Sequence, residues 1–241
     1  MMRAVWLTVL ALVGGCLQPM PDFVDPRSDL LLEWLPEAGA RVPDRSGHGR
    51  DLEVMGATHE SSPPRLVFDG VDDVGLGPDL AEVVPELAAI TLEARVRVTD
   101  TSSDWSPRSV LSLPQSSATG NYGLGLTVYT AGRRVEFAVV AGDENIEVSR
   151  DELYAGDWVT VHGVYDGEVV ALYIDGEAPV DPIAATGMLD AYDFAFGEQP
   201  LLVGEHYHSQ DRLAFELAEV RVWGRGLPEA EVAHRHAQLA R

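Results

Sequence analysis

Residues 157–177, reading DWVTVHGVYDGEVVALYIDGE, constrain the fold more than any other stretch. Two runs of alternating apolar residues, 158–163 and 169–174, are closed by Asp166-Gly167 and by Asp175-Gly176. An Asp-Gly pair tolerates the positive φ that a tight hairpin turn demands, so each pair marks a reversal of the chain. The period of two places one face of each strand on a core and the other toward water.

The same alternation recurs elsewhere. Over residues 90–98, Ile90, Leu92, Ala94, Val96 and Val98 point inward, while Thr91, Glu93, Arg95 and Arg97 point outward. Shorter strands are expected at 30–35, 52–55, 65–68, 109–113, 122–129, 134–140, 146–149, 201–204 and 217–223, with Ala131-Gly132 as a turn. Such spacing of strands and turns fits a sandwich of two sheets stacked about 10 Å apart. Leu80, Val83, Val84 and Leu87 have helical spacing and predict a short helix within 79–89, despite Pro85. A final helix is expected over 228–240, opened by Pro228 in its first turn.

Several of these segments carry a family resemblance. The hairpin reads HGVYDG and then LYIDGE; Asp44-Arg-Ser-Gly47-His-Gly49 forms a D-x-S-G-x-G turn; Phe68-Asp-Gly-Val-Asp-Asp73 reads FDGxDD. Residues 90–95, 201–204, 217–223 and 227–231 follow in matching order. Together they resemble the laminin-G-like, concanavalin A-like lectin-glucanase jelly-roll domain over residues 29–238. The resemblance implies an all-β, antiparallel two-sheet jelly-roll sandwich with a short C-terminal helix. It does not imply one activity, because this fold hosts many. In the resembling family the D-x-S-G-x-G turn often helps to hold a structural calcium ion, a hard cation that takes six to eight oxygens, and the alternative is that Asp44 simply caps its own turn. The ligands here would be Asp44, the carbonyls of Gly47 and Gly49, and an acid in the closing strand. Where the family commonly reads Asp-Glu this chain has Ala218-Glu219, so Glu219 alone remains.

The first residues read as an address. Met1-Met-Arg3 is weakly basic, residues 4–13 are apolar but too short to span a bilayer, and Val13-Gly14-Gly15-Cys16 resembles a bacterial lipobox. Residues 1–15 are therefore expected to be a lipoprotein signal peptide, with Cys16 the lipidated residue. Cys16 is the only cysteine, so it cannot serve an internal disulfide. Acyl chains contributing about 0.8 kcal/mol per buried methylene would anchor the protein without a transmembrane helix. Leu17 follows the cysteine, which in lipoproteins generally points to the outer membrane. The remainder of residues 16–28 holds three prolines and reads as an extended tether, leaving 29–241 as one domain.

Charge narrows the partners. Seventeen basic residues, all arginine, stand against 39 acidic ones, a net charge of −22. Nucleic acid and anionic headgroups require a basic footprint, so both are poor partners, and contact with the membrane would be through the lipid anchor only.

The sequence offers little that could catalyse. A glycosidase needs two carboxylates about 5 to 9 Å apart across one cleft. The E-x-D-x-x-E pattern is absent; Asp72 with Asp73, Asp143 with Glu144 and Asp151 with Glu152 are adjacent pairs at turns; Asp175 and Glu177 flank a turn glycine. The chain is thus read as a non-enzyme. His206 and His208 have a spacing that could grip a metal, but they lie in a polar loop without an identifiable third ligand. His234 and His236 read as surface residues of the last helix, and His162 as a hydrogen-bonded structural residue. Trp34, Trp158 and Trp223 read as core. Trp105 and Tyr207 lie in polar loops and are the candidate ligand-binding aromatics. The resulting expectation is a membrane-anchored extracytoplasmic lipoprotein whose domain binds glycan or a cell-surface protein. A structural envelope component is the alternative, and a glycan-cleaving enzyme the third reading.

Overall fold

The computed structural model describes residues 25–239 except 26, 80–86, 104, 114–123, 132, 143, 152, 154, 180, 190–199 and 207–210. Within them lie sixteen strands and one helix. The strands are β1 (Leu30–Trp34), β2 (Arg41–Val42), β3 (Leu52–Met55), β4 (Thr58–Ser61), β5 (Pro64–Asp69), β6 (Val74–Asp79), β7 (Ile90–Val98) and β8 (Arg108–Ser112). They continue as β9 (Gly125–Tyr129), β10 (Arg134–Ala141), β11 (Glu144–Arg150), β12 (Trp158–Tyr165), β13 (Val169–Ile174), β14 (Ile183–Ala184), β15 (Pro200–Val203) and β16 (Ala214–Trp223). Helix α1 is Glu229–Leu239.

The strands form two eight-stranded sheets. The first runs β14-β13-β12-β7-β16-β5-β4, with β1 also paired to β16, and the second runs β11-β10-β9-β8-β15-β6-β3-β2. Each pairing is antiparallel. Strands distant in sequence are neighbours: β7 lies beside β16, and β6 beside β15. The architecture is the antiparallel two-sheet jelly-roll sandwich with a C-terminal helix that the family resemblance implied.

The alternation in β7 positions the core. Ile90, Leu92, Ala94, Val96 and Val98 face the second sheet and join one continuous apolar cluster with Phe68, Phe137, Phe215 and Tyr165. Space in this cluster is tight. A Cβ on Gly163 of β12 would lie 2.2 Å from the Phe137 ring, so glycine here admits an aromatic from the facing sheet.

The outer face of the first sheet departs from the simple in–out reading. Leu30, Val164, Ala171, Tyr173, Trp223, Leu227 and Val232 make a second apolar cluster there, covered by α1. The cover also buries Thr91 and Glu93, whose places in the alternation are on the outward side. Trp158 corrects in the opposite sense. It starts β12 on the outer face, half-buried, with the Arg95 and Arg97 guanidinium carbons 5.8 and 5.4 Å from its ring. Trp34 and Trp223 are core, as their strand positions implied.

A buried carboxylate must be paired to be tolerated. Glu93 accepts hydrogen bonds from Arg235 Nε and Nη2 at 2.6 and 2.9 Å and from Arg221 Nη1 at 2.7 Å, and His162 Nε2 lies at 2.8 Å. Burial alone would raise its pKa, but the Arg235 and His162 contacts outweigh that and hold the group well below the ordinary carboxylate range. His162 thus has the structural role read for it. His234 is exposed and bonds Gln238, while His236 lies 3.6 Å from Asp175. The helix expected within 79–89 falls mostly outside the described residues.

Candidate functional site

Turns at one end of the sandwich converge. Thr99 and Asp100 backbone N–H groups both donate to Ala214 O, at 3.0 and 2.9 Å. Gly156 N donates to Val98 O, and Leu153 N to Arg133 O. The described residues of the loops 99–107, 130–133, 151–157 and 204–213 therefore share one rim. The chain enters at the other end, where Leu30 pairs with Trp223 and Gly224 N donates to Asp29 O. Ten residues of β16 separate the two ends, about 30 Å at strand rise.

Trp105 lies in the first of these loops and is 65 % exposed. The loop is shaped by its polar residues. Asp100 Oδ1 accepts from Ser102 N at 2.7 Å, an Asx turn, and Asp100 Oδ2 lies 3.5 Å from Arg108 Nε. Ser102 Oγ lies 2.8 Å from Thr130 Oγ1 and ties this loop to the β9–β10 turn. Between the two loops opens a cleft of about 280 Å³. Hydroxyl-bearing residues Thr101, Ser102, Ser103 and Thr130 line its sides, and Val98, Val128 and Leu153 its base.

A polar patch on the outer face of the second sheet lies beside this rim. Tyr129 Oη donates to Glu136 Oε1 at 3.3 Å, and Arg134 Nη2 to Glu136 Oε2 at 3.2 Å. Ser109 Oγ and Thr127 Oγ1 are 3.3 Å apart. Burial, then the nearby Glu147, pushes the Glu136 pKa up against the opposing pull of Arg134. Burial and Glu136 together push the Tyr129 phenol up to about 12. Above the patch is a small pocket walled in part by Pro107 and His206. Pro107 belongs to the Trp105 loop and His206 precedes Tyr207, so the loops carrying the two candidate aromatics meet. Tyr207 itself, and His208, lie outside the described residues.

The expected calcium ligands do not fit a cation cage. Asp44 Oδ1 accepts from Glu33 N and Ser46 N at 3.0 and 2.9 Å, and its Oδ2 from Ser46 Oγ and Arg50 N at 2.7 and 3.1 Å. Protein donors occupy both oxygens. Burial raises the pKa of this group, but the Glu33, Ser46 and Arg50 donors outweigh it and hold the carboxyl below its ordinary value. Gly47 and Gly49 supply left-handed turn conformations, with φ of 99° and 72°. Glu219 is paired with the Arg221 guanidinium on the outer face of the first sheet. The motif is a self-capped turn.

Among the described residues, one acidic trio has metal-binding dimensions. Asp69, Asp72 and Asp73 each offer an oxygen within 4.8 Å of the others. Asp73 Oδ2 accepts Asp69 N at 2.7 Å, and Asp69 Oδ1 accepts Val71 N at 2.7 Å. Burial raises the Asp73 pKa, the Asp69 N–H opposes this, and the charges of Asp69 and Asp72 add to the rise. The carboxyls thus already hold the backbone of their own turn.

The residues missed in the sequence are Asp100, Ser102, Thr130 and Glu136. The loop residues carry turn chemistry that reads as connection. Glu136 sits on the outward phase of β10, but its burial depends on tertiary neighbours. Cys16 lies outside the described residues. No helix among the described residues is long and apolar enough to cross a membrane.

Residues 69–233 match the family model described as the concanavalin A-like lectin/glucanases superfamily. No curated protein matches the chain significantly. Among solved structures, the binding domain of botulinum neurotoxin DC in complex with rat synaptotagmin II aligns with a TM-score of 0.66 at 12% identity, covering 88% of this chain and 52% of that one. The botulinum neurotoxin D receptor-binding domain aligns with a TM-score of 0.67 at 11% identity, covering 88% and 53%. The chain spans about half the length of these toxin domains. At such identities the likeness is one of fold.

Proposed function

We propose, since the chain belongs to the concanavalin A-like lectin/glucanases superfamily, that it is a non-catalytic binding domain whose ligand site is the loop rim around Trp105. One observation carries this reading. An exposed tryptophan stands on the same loop that walls a cleft with an apolar base and hydroxyl-bearing sides. A flat aromatic beside a small, partly apolar cleft with a few placed polar groups is the common form of a small-molecule or glycan site. Glycan is favoured over protein as ligand by those hydroxyls. The toxin domains of the same fold are binding domains by their own descriptions.

A non-catalytic role is supported by Glu136, the buried carboxyl of this end. Both of its oxygens hold protein donors. We also take the lipobox at Cys16 as an anchor, placing the domain outside the cytoplasm on a bacterial membrane. The tether would then enter at the end opposite Trp105, and the rim would face away from the lipid. The Asp44 turn is taken to hold itself without calcium.

The test is a glycan-array screen of the full-length protein in detergent micelles, followed by titration of the best ligand against Trp105→Ala. At least a tenfold loss of affinity with an unchanged melting temperature is expected. Glycan binding that ignores Trp105→Ala would remove the rim as the site.

A further inference from the structure

The chain enters the domain through β1, which runs antiparallel to β16 with Leu30 opposite Trp223 and Trp34 opposite Val220. Strand β1 thus starts at the end where the chain enters and points toward the rim. Anything that holds the rim while the preceding segment is pulled loads β1 along its own axis. Hydrogen bonds of an antiparallel pair lie perpendicular to the strands. Such a pull shears them together instead of parting them one after another.

Both edges of β1 are bonded. On the β16 side, Gly224 N extends the pairing past the strand by donating to Asp29 O at 2.8 Å. On the other side stands the Asp44 turn. Glu33 N donates to Asp44 Oδ1 at 3.0 Å, and Arg45 N to Glu33 O at 2.8 Å. Leu31 O accepts from Arg50 Nη1 at 2.8 Å and from Ser46 Oγ at 3.2 Å. Side chains add to the grip. Leu32 and Trp34 are buried, and Trp34 Nε1 donates to Arg50 O at 2.7 Å. Glu33 accepts from Arg221 Nε at 2.7 Å and from Arg27 Nη2 at 3.0 Å. Arg225 Nε donates to Ser28 O at 3.2 Å while its Nη1 and Nη2 bond Glu231 of α1 at 2.9 and 2.7 Å.

Resting on the rim as the ligand site and on Cys16 as the anchor, we infer that β1 and the Asp44 turn form a shear clamp, which keeps the domain folded while ligand and membrane are drawn apart. Tension passes from the rim along β16, across its bonds to β1, and so to the tether. The D-x-S-G-x-G turn then has a mechanical role: it closes the edge of β1 that β16 does not cover.

The test pulls individual molecules of the full-length chain, with Cys16 unmodified and in detergent micelles, between a handle on Cys16 and another on an introduced cysteine. Ala155→Cys places the second handle on the rim, and Ala230→Cys places it near the entry end, at the start of α1; both positions are exposed. At a fixed loading rate the rupture force on the Ala155 axis should be roughly twofold or more above that on the Ala230 axis, because bonds break together on the first and in succession on the second. Asp44→Ala should lower the first force and leave the second nearly unchanged, a split that loss of overall stability would not give. Equal forces on the two axes with Asp44 intact would overturn the clamp, whether or not Asp44→Ala folds. A parallel fall on both axes in Asp44→Ala would overturn the part given to the turn. Neither handle needs ligand or lipid, so a silent glycan array would remove the glycan reading of the rim while the two forces still decide the clamp.

Discussion

Glu93 shows how a single side chain can be placed by sequence and still be misjudged. Its phase in β7 puts it on the outward side, correctly. What covers that side is α1, which packs there through Val232 and Arg235, with Leu227 of the preceding loop, and no local pattern announces a helix docked on a sheet from the far end of the chain. The network it anchors is testable. Removing one partner of a buried ion cluster costs about 3–5 kcal/mol, because the others are left uncompensated. Glu93→Ala should lose stability of that order by urea denaturation, with Arg221 and Arg235 stranded. The pH dependence follows from a carboxyl whose folded pKa is depressed. Its contribution is fully present above the unfolded value of about 4.3 and is lost progressively as pH falls from there through the much lower folded value. Wild type should therefore lose stability more steeply with acid than Glu93→Ala, which lacks this titration, and the gap between the two should narrow as pH falls. Equal acid sensitivity of the two would show the network to be inert.

Elements were legible where alternation was clean and illegible where glycine replaced it. Strands β7, β12, β13 and β16 could be read almost to their ends. Strand β6, VGLGPD, is not among the strands expected from the sequence and is a central strand between β15 and β3. Its glycines are explained by their neighbours: a Cβ on Gly77 would lie 2.7 Å from the Trp34 ring, and one on Gly75 would lie 3.0 Å from Leu52 and Val203. The strand is dictated by what packs on it, not by its own propensity. Gly163 and Phe137 make the same point across the two sheets and can be tested as a pair. Gly163→Ala should destabilise by about 1–3 kcal/mol through overpacking, and Phe137→Leu in the same chain should recover part of the loss. Additive losses would mean that the two positions do not compete for one space.

At the scale of the molecule, the topology supplies what the sequence could not, namely which loops meet. Trp105 and Tyr207 are far apart in the chain, and nothing local links them. Hydrogen bonds from Thr99 and Asp100 to Ala214, and the pocket shared by Pro107 and His206, bring their loops to one rim. The same view separates the Asp44 turn from the rim and accounts for its carboxylate without a cation. The melting temperature should thus be the same in millimolar calcium and in chelator; a marked fall in chelator would mean that a cation is bound elsewhere, with the Asp69, Asp72 and Asp73 trio the first place to look. The central claim is that ligand binds at the Trp105 end. The most direct measurement is the two-dimensional ¹H–¹⁵N spectrum, backbone amides and tryptophan indoles together, recorded as the strongest array glycan is added. The account predicts a progressive shift of the Trp105 indole resonance, with those of buried Trp34 and Trp223 unmoved. A still Trp105, with shifts confined to residues 27–30 and 224–227 at the opposite end, would contradict it.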